Sequence, residues 1–121
     1  MSSSKSKSQP SEQEIKQQFQ QFQTELQGMA SKIGELEQDS DEHSLVLTTL
    51  NEVLTEEPDR KCFRLIGGVL VERTVKDIVP TLQTNRDGMQ KLIAQLAEQY
   101  RSKEKLFDSF KTEYNIRPAK A

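Results

Sequence analysis

From Ile15 onward the apolar residues of this chain recur at spacings that alternate between four and three: Ile15, Phe19, Phe22, Leu26, Met29, Ile33, Leu36, then the polar pair Ser40 and His43, then Leu47, Leu50 and Leu54. Such a series lays one narrow apolar stripe along an α-helix and holds it in heptad register. A helix of that kind cannot bury its stripe alone, so the pattern calls for a second helix. Residues 75 onward supply one, with Val75, Ile78, Leu82, Asn85, Met89, Leu92 and Leu96 at heptad spacing. Beyond Leu96 come Tyr100, Phe107, Phe110 and Tyr114, with Lys103 between them. The two successive steps of four at 92, 96 and 100 predict a stutter, which locally unwinds a supercoil.

Local signals set the boundaries. Ser11-Glu12-Gln13-Glu14 fits a capping box, with Ser11 as N-cap and the Glu14 side chain reaching back to the Ser11 amide. Glu57-Pro58 ends the first helix, because the residue before proline is pushed out of the helical region. Thr74-Val75-Lys76-Asp77 resembles a second cap; Pro80 then falls either in a first turn capped by Asp77 or inside a helix begun at Thr74. The Ser, Lys, Gln and Pro of residues 1–10 read as a disordered tail, and 117–121 as a flexible C-terminus. What remains is helix over 11–57, loop and hairpin over 58–74, and helix over 75–116. Each helix is on the order of 65 Å long, and matched lengths about a short connector predict an antiparallel pair. Folding about Gly67-Gly68 sets the Ser40/His43 break opposite residues near 92–95, and brings Phe19 and Phe22 near Phe107, Phe110 and Tyr114. Gly28 and Gly34, each costing about 1 kcal/mol relative to Ala, predict a looser far half.

Composition agrees with a thin seam rather than a thick core: hydrophobic residues are 33% of the 121, and Trp is absent. The mean hydropathy is −0.76. Residues 11–57 hold eleven Asp/Glu against two Lys, a balance of −9, while residues 75–121 hold nine Lys/Arg against six Asp/Glu, a balance of +3. The two segments attract one another, and neither carries the dense basic stripe that binds phosphates, so nucleic acid is not an expected partner. No apolar run is long enough to span a membrane, and the N-terminus lacks an apolar core of signal-peptide type, so the chain reads as soluble and not secreted. The polar face of the first helix is Gln-rich rather than Lys/Arg-rich, which argues against an anionic lipid surface. Cys62, the lone cysteine, suits a reducing compartment. His43 has no second His or Cys at ligand spacing, and no Lys-Ser/Thr follows Gly67-Gly68 as a phosphate loop would require. The sequence therefore predicts no catalytic constellation, no metal site and no cofactor.

Between the helices lies Cys62-Phe63-Arg64-Leu65-Ile66-Gly67-Gly68-Val69-Leu70-Val71-Glu72-Arg73-Thr74. The two glycines supply the positive φ angles of a tight turn, and their Val, Ile, Leu and Phe flanks predict a β-hairpin pairing Ile66 with Val69, Leu65 with Leu70, Arg64 with Val71 and Phe63 with Glu72. Alternation then puts Ile66, Val69 and Val71 on one face, and Phe63, Leu65 and Leu70 on the other. Both faces are apolar. Six such side chains at roughly 1.5–3 kcal/mol each leave about 9–18 kcal/mol of burial unclaimed, comparable to the whole stability of a small domain. Neighbouring hairpins that add strands and close a barrel would claim it and remove the open edges.

The run of residues 59–85, DRKCFRLIGGVLVERTVKDIVPTLQTN, flanked by heptad helices of equal length, resembles the β-class subunits of the prefoldin family over roughly residues 11–115. The resemblance implies a mainly α fold: a long antiparallel two-helix coiled coil whose central hairpin joins an intersubunit β-barrel. It implies a heterohexamer of α- and β-class subunits that holds unfolded actin and tubulin without ATP and passes them to the cytosolic group II chaperonin. It also implies a cytoplasmic location, with a nuclear pool left open. By position, Phe63, Leu65, Ile66, Gly67, Gly68, Val69, Leu70 and Val71 fall in the assembly hairpin. Ile15, Phe19, Phe22, Leu26, Met29, Tyr100, Phe107, Phe110 and Tyr114 fall at the arm tips, where clients would bind. The rival reading is a structural coiled-coil scaffold without client binding, for which heptads suffice but the hairpin has no purpose.

Overall fold

The structure is a computed structural model that describes residues 9–116, so nearly all of the tail read over 1–10 and all of 117–121 lie outside the described residues. Four elements follow in order: α1 (Glu12–Glu56), β1 (Lys61–Ile66), β2 (Val69–Thr74) and α2 (Val75–Glu113). α1 starts where its capping box predicts. The Ser11 amide donates to Glu14 Oε1 at 2.9 Å and the Glu14 amide to Ser11 Oγ at 3.2 Å, each satisfying an amide that the helix leaves open. α2 begins directly after the hairpin, and Pro80 lies inside it rather than in a first turn. Its first amides are held by the preceding loop: Val75 N donates to the Arg60 carbonyl and Lys76 N to that of Pro58, both at 3.0 Å. The Lys76 ammonium reaches Asp59 Oδ1 at 2.8 Å, a hydrogen bond that raises its pKa. These contacts tie the base of the hairpin to the start of the helix.

The chain divides into two compact units, one of residues up to Lys32 and from Leu96 onward, the other Ile33–Gln95. In the unit holding the hairpin, Leu47, Val75 and Val79 form the core, with Leu50, Val53, Leu54, Cys62 and Leu82 packed around them. Ser40, also buried, lines a groove with Gln90 and Ile93. Partner numbers on α2 thus rise as those on α1 fall, and within this unit the two helices are antiparallel. The other unit is built on Leu26, Phe107 and Phe110. There Glu25 pairs with Lys103 while Ile15 shares a groove with Tyr114, again an antiparallel arrangement.

The seam of α2 departs from the expected one. Asn85 is exposed and Leu92 is 40% exposed, whereas their neighbours Arg86 and Ile93 are partly buried. Ile78 is buried as expected, and Ala97 and Lys111 are half-buried beside the seam; through them runs the buried or half-buried series Val75, Val79, Leu82, Arg86, Met89, Ile93, Leu96, Tyr100, Lys103, Phe107, Phe110 and Tyr114, which alternates four and three without a break. The predicted stutter is therefore absent. Ile93 takes the place of Leu92, so the step to Leu96 is three rather than four; two long cations, Arg86 and Lys103, also occupy seam positions and cover them with their aliphatic stems while the charged ends reach out. Arg86 contacts Asp87 Oδ1 at 3.3 Å, leaving its Nε buried without a partner. Lys103 reaches Glu25 Oε1 at 3.2 Å.

Candidate interaction surfaces

The hairpin takes the predicted register: Ile66 faces Val69, Leu65 faces Leu70, Arg64 faces Val71 and Phe63 faces Glu72, and the ladder continues through Cys62 with Arg73 to Lys61 with Thr74. Gly67 and Gly68 adopt φ of 55° and 81°. Both angles are left-handed, so the two-residue loop follows the twist of the strands, and a side chain at either position would strain it. At the foot of the hairpin Cys62, Arg64 and Val71 share one face and are half-buried, Cys62 against the Leu47 cluster. The rest is bare: Phe63 is 61% exposed, Leu65 70%, Leu70 65%, Val69 63% and Ile66 49%. The face carrying Phe63, Leu65 and Leu70 is uncovered along its whole apolar length. The sheet has two strands, so both edges also offer unpaired backbone groups.

The second surface is the end formed by the start of α1 and the close of α2. Phe107 lies at its centre, stacked on Phe22 at 5.1 Å between ring centroids and edge-on to Phe19 at 5.2 Å. Phe110 sits 5.4 Å from Phe22 and 5.1 Å from Tyr114. Each geometry avoids the face-to-face overlap that ring quadrupoles disfavour. Two ammonium groups lie over ring faces, Lys111 Nζ 4.5 Å from the Phe107 centroid and Lys103 Nζ 5.9 Å from that of Phe22. Partial burial pushes the Tyr114 hydroxyl pKa up, and the adjacent Glu113 carboxylate adds to the rise. α2 stops in a Schellman motif: Asn115 is left-handed (φ 54°), its amide donates to the Thr112 carbonyl at 3.2 Å, and the Ile116 amide donates to that of Lys111 at 2.8 Å. The motif turns Ile116 back onto the aromatic cluster.

Of the tip residues named from the sequence, Leu26, Phe107 and Phe110 form the interior, and Ile15, Phe19, Phe22, Met29, Tyr100 and Tyr114 are half-buried. Beside them runs a groove of about 630 Å³ floored by Ile15, Phe19, Tyr114 and Ile116 and rimmed by Glu12, Lys16 and two glutamines. Sequence reasoning missed Ile116, whose signal is an apolar residue directly after an Asn able to adopt the left-handed conformation. It also missed Leu106, 59% exposed beside the seam. His43 is half-buried with Nδ1 3.0 Å from the Asp39 carbonyl. Among the described residues no three His, Cys, Asp or Glu side chains gather to hold a metal, and no helix is long and apolar enough to cross a membrane.

A hairpin between two long helices, with bare apolar strands at one place and an aromatic cluster at another, can be compared with known proteins. The family model described as prefoldin subunit matches residues 13–121. The chain belongs to the prefoldin family. Prefoldin subunit 2 of Homo sapiens is 46% identical over 99 residues, covering 82% of this chain and 62% of the human protein. The chain thus spans less than two thirds of the length of that mammalian relative. Probable prefoldin subunit 2 of Schizosaccharomyces pombe is 45% identical over 109 residues, covering 89% of this chain and 93% of the yeast protein. Among solved structures, the prefoldin beta subunit from Thermococcus strain KS-1 superposes with a TM-score of 0.68 at 16% identity, over 88% of this chain and 93% of that one. That likeness speaks to the fold, in which two long helices flank a central antiparallel hairpin.

Proposed function

We propose that this prefoldin chain is a non-catalytic subunit of a hetero-oligomeric co-chaperone that holds unfolded polypeptides without ATP. Its partners are α- and β-class subunits of the same family, its clients are unfolded actin and tubulin, and it delivers them in the cytoplasm to the group II chaperonin. The observation that carries the reading is the hairpin, whose five large apolar side chains stay 49–70% exposed beside a core that cannot reach them. Pairing with other hairpins covers both faces and both edges at once. The tip supports the second half of the reading. A groove with an apolar floor and a Gln-rich rim takes side chains of varied shape without demanding a sequence, and several tips acting together raise a weak contact to useful avidity.

The test mixes the purified chain with α-class and other β-class prefoldin subunits, follows mass by native mass spectrometry, and measures light scattering of denatured actin diluted into the mixture. A defined hexamer that suppresses scattering is expected. Deleting residues 1–29 together with 100–121 is expected to abolish suppression and leave the hexamer intact. A lone chain that ignores those subunits, or a hexamer with no effect on scattering, would overturn the reading.

A further inference from the structure

The outer surface of α1 changes character near the hairpin. With Leu47, Leu50 and Leu54 in the seam, the positions farthest from α2 are Gln17, Thr24, Ser31, Gln38, Leu45 and Glu52. Five of these are polar; Leu45 is 71% exposed, and Val46 next to it is 47% exposed. A large apolar residue at the outermost heptad position serves no purpose within a two-helix pair, since it points away from the seam. The exposed Thr49 and Val53, the latter half-buried because its inner side packs against the Leu47 cluster, extend the stripe toward the end of α1. Acidic residues surround it, with Glu42 and Glu56 in line with it at its two ends and Glu52 beside Leu45 on the edge away from the seam.

The stripe is too small to hold a partner alone. A specific interface needs about 800 Å² on each side, some 20–30 residues, and four side chains fall far short. It acts only as the extension of a larger contact, and about 17 Å of helix separates Leu45 from the close of α1, where the bare hairpin follows. We infer that Leu45 and Val46 pack against a helix of the neighbouring prefoldin subunit, extending the hairpin contact down the helical arm. The acidic border selects a helix whose apolar face is flanked by Lys or Arg. The inference rests on the reading that hairpins assemble, and adds a second contact that sets how firmly neighbours are held.

The experiment compares the assembled complex carrying Leu45→Lys/Val46→Lys with one carrying Leu65→Ser/Leu70→Ser, following dissociation on dilution by native mass spectrometry. Because Leu45 and Val46 are exposed, the lone Leu45→Lys/Val46→Lys chain is expected to keep its helicity and melting temperature, while its complex dissociates at roughly tenfold higher concentration. A Leu45→Cys variant in a Cys62→Ser background, treated with a short bismaleimide, is expected to cross-link to a helical peptide of a different prefoldin subunit. Unchanged dissociation, or cross-links confined to client or to a second copy of this chain, overturns the inference. If Leu65→Ser/Leu70→Ser abolishes assembly in those same conditions, only the arm contact falls; if it leaves assembly intact, the hairpin reading falls first.

Discussion

The hairpin and the aromatic end of the helix pair are made of similar side chains and treat them oppositely. Leu65 and Leu70 are 70% and 65% exposed, whereas Phe107 and Phe110 are 8% and 7% exposed. The difference lies in dimensionality. A two-stranded sheet has two faces, and here only the foot of one, at Cys62, meets a second layer, so most of its apolar surface is left for another chain. Two helices each carry one stripe and can turn them toward one another, so their surface is satisfied internally. The hairpin's need for a partner is permanent. The aromatic end exposes only its rim and groove, and yields its three interior residues only if the helices part.

Four experiments break or sharpen this contrast. The largest effect is expected for Leu65→Ser/Leu70→Ser: complete loss of assembly by native mass spectrometry, with the circular dichroism and melting of the lone chain almost unchanged. A large drop in melting temperature would mean that the hairpin is part of the chain's own core. Next, Phe107→Ala removes a buried ring stacked on Phe22 and is expected to cost about 3–5 kcal/mol, read as lost amide protection in α1 residues 15–29 and α2 residues 100–113. Protection in the strands should not move; if it does, the two regions are not independent. Gly68→Val forces a β-branched side chain into a left-handed backbone at φ 81° and should weaken the hairpin by about 1–3 kcal/mol, visible as broadened resonances of β1 and β2. The smallest effect is electrostatic. The Ser11 amide, and after it the Ser11 hydroxyl, hold the Glu14 carboxyl below its ordinary pKa. A folded-state value lower than the unfolded one contributes stability above the ordinary Glu range, about 4.3, and loses it as pH falls through the lower value. Amide protection in the first turn of α1 is expected to fade over that acidic window; Ser11→Ala, which keeps the amide and removes the hydroxyl, should weaken the dependence in part, and Glu14→Gln should remove it.

These contrasts also explain which features were legible beforehand. The hairpin register could be read because a two-residue Gly-Gly loop admits one pairing, and each pair then follows by counting. The start of α1 could be read because Ser11 and Glu14 satisfy one another locally. The α2 seam could not be read from apolarity alone: Leu92 and Ile93 are adjacent and similarly apolar, yet Ile93 is the half-buried one and Leu92 is 40% exposed, and Arg86 and Lys103 hold seam positions that no hydrophobicity rule would assign to them. The division of the aromatic end into interior and rim was equally hidden, because Phe19, Phe22, Phe107 and Phe110 obey the same spacing whether covered or bare.

What the sequence determined by itself is therefore the set of elements, the turn, the strand register and the need of the hairpin for a partner, all consequences of spacing and of backbone preferences that act over a few residues. Only the tertiary structure decided which face of α2 meets α1, how two cations fit within that seam, and which aromatics are closed off. Those outcomes depend on side chains some seventy to ninety residues apart coming into contact, as Lys103 does with Glu25 and Phe107 with Phe22, and one sequence carries no local signal for what a residue will find across from it.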